Sequence, residues 1–111
     1  MLVGVSDKLL MGYLENKKYL NCSDEGEAIG IGIGYYFGTG SRATVFMSAD
    51  GFMNALNPLT SCVIPDKVEM NLVISVGRKE PQHREATRML IPLLELLEYD
   101  HKRIHIELIE I

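Results

Sequence analysis

The feature that most restricts this chain is a pair of short, almost unbroken apolar runs, ATVFMS (43–48) and NLVISVG (71–77). A strand with one wet face alternates apolar and polar residues. A run without that alternation suits a strand covered on both faces, as in a parallel sheet. Two shorter runs come first, LVGV (2–5) and YLNC (19–22). A fifth, RIHIELIEI (103–111), does alternate, with Ile104, Ile106 and Leu108 set against His105, Glu107 and Ile109. That pattern fits a half-covered edge or a seam between two copies of the chain. Helical stretches separate the runs. Asp7 can cap a helix reaching about Glu15. ATRMLIPLLELLEYD (86–100) reads as a helix beginning somewhere from Thr87 to Pro92, since proline is welcome only in a first turn. Strands that alternate with helices build right-handed βαβ units. The expectation is an α/β fold: an open, mostly parallel sheet of about five strands with helices on both faces. At 111 residues the chain, 1–111, has the length of one domain.

Six of the ten glycines fall in EGEAIGIGIGYYFGTGS (25–41). A dinucleotide-binding loop needs GxGxxG, but after Gly32 and Gly34 the third position is Phe37, and no Walker motif is present. Read as a strand, AIGIGIG would carry only glycine on one face, with no packing in return. Helical spacing accounts for more. Gly26, Gly30, Gly34 and Gly38 recur every four residues on one slowly drifting face, beside an apolar stripe of Ile29, Ile33 and Phe37. Each interior glycine costs a helix roughly 1 kcal/mol relative to alanine, so tertiary packing has to return that energy. The expectation is a buried helix over 25–38 whose bare face admits a backbone or a flat ligand. Asp24 or Ser23 would cap it and Gly38 or Gly40 would stop it. Glu25 then sits in the first turn, directly after a parallel strand, where open α/β sheets place ligands. By position alone it could also serve only the helix dipole.

Charge narrows the partners. Eleven Lys and Arg stand against fifteen Asp and Glu, a net charge of −4 without a basic block. Nucleic acid is not expected, because binding phosphates takes clustered cations. No run approaches the ~18 apolar residues of a membrane span, and the opening MLVGVSDKLL lacks the basic start and long apolar core of a secretion signal. Cys22 and Cys62 stand alone, which suits a reduced, cytoplasmic chain with two ordinary thiols. His101 and His105 read as surface residues without a third ligand at metal spacing, so no metal site is expected. Met47, Met53, Met70 and Met89 read as core filler.

Taken in order, DEGEAIGIGIGYYFGTGSRATVFMSADGFMNALNPLTS (24–61) followed by GRKEPQH (77–83) resembles the pyrimidine-binding domain of thiamine-diphosphate enzymes. The closest branch is the alpha subunit of sulfopyruvate and phosphonopyruvate decarboxylases, and the resemblance covers roughly residues 3–100. It implies a flavodoxin-like sheet whose first helix, ahead of LVGV, is missing from this sequence. It implies that Glu25 is the catalytic glutamate, bonded to the aminopyrimidine ring nitrogen of thiamine diphosphate so that the imino tautomer is favoured. Asp50, Gly51 and Asn54 take the places of a cofactor-binding turn before the next helix. Arg78, Gln82 and His83 take the places of a substrate loop, and Arg78, Lys79 and His83 could meet a doubly anionic sulfonate or phosphonate tail. Asn57-Pro58-Leu59-Thr60-Ser61 matches the family's pattern as it stands.

The chain also departs from that pattern. Met47-Ser48 stands where the family has Met-Gln, and Asp50 and Met53 stand where it has serine and glycine. The family's GDG and its later asparagine, which hold the diphosphate and Mg2+, are absent, so the resemblance implies a partner subunit that supplies them. The implied function is the pyrimidine-binding subunit of a thiamine-diphosphate-dependent 2-oxo acid decarboxylase, incomplete alone and working as an oligomer. The alternatives are a non-catalytic binding or assembly module of the same fold and an unrelated small flavodoxin-like α/β domain; a homodimer of this chain could also form, as an incomplete stand-in for the two-chain assembly.

Overall fold

The structure is a computed structural model that describes residues 1–77, 80–97 and 102–110. Five parallel strands form one sheet: β1 (Leu2–Gly4), β2 (Leu20–Asn21), β3 (Ala43–Ser48), β4 (Met70–Val76) and β5 (Ile104–Glu110), in the order β2-β1-β3-β4-β5. This is the open, flavodoxin-like order, and its switch point lies between β1 and β3. The alternating run at 103–111 supplies the edge strand β5, as its pattern requires. Among the described residues the helices are α1 (Met11–Leu14), entered through a 3-10 turn over Lys8–Leu10, then α2 (Glu25–Thr39), α3 (Ala49–Pro58) and α4 (Pro81–Leu96).

Strand alternation sends residues of β3 and β4 into two cores. Val45, Met47, Leu72 and Ile74 pack with Ala28 and Ile29 of α2, Phe52 and Ala55 of α3, and Leu90 and Leu94 of α4. Phe46 and Val73 point the other way and pack on Leu10 and Leu14. Both sheet faces thus carry helices, but unequally: α2, α3 and α4 share one face, and the short first helix guards the other. Phe46 is fully buried on that thin side, a contribution of ~1.5–3 kcal/mol for a side chain of its size. Arg42 ties the amino ends of the strands together, donating to the carbonyls of Lys102 and Arg103 and pairing with Glu69.

Two helical expectations need correction. The last helix starts at Pro81, well before Thr87. Pro81 occupies its first position, where an N–H would have no helical partner anyway. Starting there aligns Ala86, Leu90 and Leu94 as one buried stripe. Pro92 lies inside the helix on its exposed side, so its ring faces water and the sheet contacts survive. The glycine helix forms as expected and runs from an Asp24 cap to Gly40, whose φ of 74° is left-handed. Asp24 Oδ1 accepts from the N–H groups of Gly26 (2.5 Å) and Glu27 (3.2 Å).

That helix is buried on one side only. Glu25, Ala28, Ile29 and Gly32 face the interior. The positions of absent Cβ atoms at Gly30, Gly34 and Gly38 have no atom within 4 Å, and Phe37 is 61% exposed. Four-residue steps advance about 40° round a helix, so a stripe beginning at Gly26 turns away from the core. The close approach expected of that stripe belongs to Gly32 instead: a Cβ there would lie 2.8 Å from Met70 Cε and 3.1 Å from Val45 Cγ2. Met47 and Met70 are core residues and Met53 packs at the core's margin, but Met89 lies on the exposed side of α4.

Candidate functional site

The strands are parallel, so the amino ends of α2, α3 and α4 gather at the carboxyl edge of the sheet. Unpaired N–H groups and the positive ends of three helix dipoles meet there. The sequence supplies the matching acids: Glu25 and Glu27 in the first turn of α2, and Asp50 in that of α3.

Glu25 is the buried member, at 8% exposed. Asn21 ends β2, three residues form the turn, and α2 begins at Glu25, so the side chain is delivered beside the start of α3. Its Oε1 accepts a hydrogen bond from Asn54 Nδ2 at 3.1 Å. Its Oε2 lies over Gly51: a Cβ at Gly51 would overlap that oxygen and sit 2.5 Å from Glu25 Cδ and 2.8 Å from Cγ. Glycine at 51 is therefore the space that the carboxyl group occupies. Ser48 caps α3 by accepting from Gly51 N–H at 3.0 Å, which fixes the backbone beneath the carboxyl. Glu25, Gly51 and Asn54, 29 positions apart at the extremes, thus form one unit.

Asp50 and His83 form a second unit. Asp50 Oδ2 meets His83 Nδ1, joining the second residue of α3 to the third residue of α4. The pair is part-buried. Gln82 is exposed beside it, with no hydrogen-bond partner among the described residues. Gly77 turns the chain after β4 at a φ of 109°, a conformation that needs glycine. Arg78, Lys79 and His101 lie outside the described residues. The Asn57–Ser61 motif lies at the far end of α3 from Glu25. There Pro58 leads into a π-helical turn (Leu59–Val63), and the Thr60 and Ser61 hydroxyls donate to the carbonyls of Leu56 and Asn57. Its place is structural, because it buries Leu59 and Val63.

One contact at this edge was not anticipated. Ser75, 1% exposed, donates to Asp7 Oδ2 at 3.0 Å and ties β4 to the turn after β1. The signal was available, because a serine inside an otherwise apolar strand must find a partner when buried. Cys22 lies near α2, where burial and then the Glu27 carboxylate, through its hydrogen bond and its charge, push the thiol up. The Asp66 carboxylate, by hydrogen bond first, does the same to Cys62. On the opposite sheet face, the row Thr44–Asn71–His105 floors a depression of about 270 Å³ with Tyr13 and Glu107 at its side. Burial and then the Glu107 charge push the Tyr13 hydroxyl up.

A carboxyl group withdrawn from water and oriented by one amide can hydrogen-bond to a ring nitrogen. Among the described residues no cluster of three His, Cys, Asp or Glu could hold an ion. Compared with family models and with curated proteins, the chain matches none.

Proposed function

We propose that this chain is the pyrimidine-binding half of a thiamine-diphosphate-dependent 2-oxo acid decarboxylase, of the sulfopyruvate or phosphonopyruvate class. One observation carries the reading: Glu25 is buried at the head of α2, seated on Gly51 and oriented by Asn54. A glutamate serving only a helix dipole has no need of burial, of a glycine cleared beneath it or of an amide from another helix. In this reading Glu25 binds the aminopyrimidine ring nitrogen and holds the proton there. Asn54 keeps the carboxyl in the orientation that reaches it, and Gly51 lets the carboxyl lie against the backbone of α3. Gln82 and His83, in the first turn of α4, are the residues that meet the acid in this reading. Bound thiamine diphosphate supplies the electron sink that a 2-oxo acid needs when CO2 leaves. The diphosphate and Mg2+ belong to a partner subunit with its own GDG motif, so activity requires both chains.

The test combines this chain with a GDG-bearing subunit, thiamine diphosphate and Mg2+, and measures CO2 release from sulfopyruvate and phosphonopyruvate. Activity is expected only from the mixture. Glu25→Gln is expected to lower kcat at least about a hundredfold, the scale on which a positioned acid–base group acts. An unchanged rate in that variant removes Glu25 from the chemistry. A mixture that binds the cofactor and is inert on every 2-oxo acid supports the assembly module instead.

A further inference from the structure

We infer that Asp50 is a positioning residue that acts through His83, fixing which ring nitrogen of that histidine is available to a bound molecule. The inference rests on the reading above for what His83 faces, but not for the pairing itself. Asp50 stands at the second position of α3, yet the cap of that helix is made by Ser48, which accepts from Gly51 N–H. The Asp50 carboxylate is thus not engaged in capping, and its Oδ2 is turned across to His83 Nδ1. His83 in turn lies in the first turn of α4, with its backbone N–H on the Glu80 carbonyl at 2.9 Å. The two side chains are 20% and 36% exposed, so water competes for the contact only in part.

A carboxylate accepts and does not donate, so Nδ1 must carry the hydrogen in this contact. That holds whether the ring is neutral or charged. Nε2 is therefore the nitrogen of the neutral ring left to accept a hydrogen bond or a proton. The second-helix carboxylate does for His83 what outer carboxylates do for histidines whose free nitrogen must be presented in one tautomer. Asp50 then does not contact the cofactor; it sets the substrate-side histidine. His83 then presents Nε2 to a bound molecule, because Nδ1 is engaged by Asp50.

The experiment uses the full chain with 15N-labelled histidine. There are three histidines in all, so a His83→Gln variant identifies the His83 signals. Long-range 1H–15N spectra near neutral pH distinguish a protonated Nδ1 from a protonated Nε2. Wild type is expected to keep hydrogen on Nδ1, with Nε2 bare in the neutral ring. Asp50→Ala is expected to move the neutral ring toward the Nε2–H form, and Asp50→Asn to restore the wild-type pattern, because its amide oxygen still accepts. In the assembled complex Asp50→Ala should lower kcat about tenfold or more, on the scale of losing a partner that orients a functional histidine, with KM changed less. A neutral Nε2–H tautomer in wild type, or His83 signals that ignore Asp50→Ala, overturns the inference. The spectra need no cofactor, substrate or partner. A correct tautomer with an inactive mixture therefore faults the proposed function alone, and an active mixture with the wrong tautomer faults this inference alone.

Discussion

Gly51 and Gly34 are both helical glycines, and their surroundings are opposite. At Gly51 the missing side chain is the seat of the Glu25 carboxyl; at Gly34 nothing lies within 4 Å of where a Cβ would be. Glycine weakens both helices to a similar extent, but only at Gly51 does another group within this chain use the vacated space. A glycine's role therefore cannot be inferred from its helix cost or its spacing. It is decided by what stands opposite.

Substitution by alanine measures the contrast directly. The largest effect is expected at Gly4, where a Cβ would overlap the Phe46 carbonyl oxygen and lie 2.7 Å from that residue's ring. Backbone cannot yield as a side chain can, so Gly4→Ala should cost more than about 3 kcal/mol and leave little folded protein by circular dichroism. Gly51→Ala comes next, at about 1–3 kcal/mol for forcing a group into a filled site. It should also displace Glu25 from Asn54, so assembled activity should fall further than stability alone explains. Gly34→Ala should do the reverse and stabilise the isolated chain by about 1 kcal/mol, raising Tm by about 5 °C. If thermal melts show Gly51→Ala and Gly34→Ala shifting Tm in the same direction, the distinction between them is wrong.

The thiols give the smallest effect. Burial and the Glu27 carboxylate raise the Cys22 thiol above its ordinary value of 9.0, so the folded state holds that proton where the unfolded chain has begun to lose it. The associated stability is present below the unfolded value and declines as pH rises through the folded one. Alkylation of Cys22 by iodoacetamide should be slower than that of an unfolded control at neutral pH and should accelerate only in the alkaline range. Equal rates would remove the burial from the argument.

The strands were legible because unbroken apolar runs leave a parallel sheet few alternatives. Residues 43–48 form β3 as read, and the alternating run forms the edge strand. Helix boundaries were less legible: the sequence puts the last helix's start between Thr87 and Pro92, whereas Pro81 holds the first position and Pro92 lies inside the helix on its wet side. Spacing identified the glycine helix and its cap but not which side is buried, since that depends on where β3 and α3 lie across from it. Glu25, Gly51 and Asn54 were each singled out, but their assembly was not, because the contacts join two helices separated by a strand. The Asp50–His83 pair, 33 positions apart, left no local pattern at all.

The central claim is that the carboxyl seated on Gly51 meets the aminopyrimidine ring, and loading of the two-chain assembly tests it most directly. With thiamine diphosphate and Mg2+ titrated in, near-ultraviolet circular dichroism should show a signal from the bound ring tautomer in wild type. Gly34→Ala should retain that signal and Glu25→Gln should lose it. An identical signal and affinity in the Glu25→Gln assembly would contradict the account.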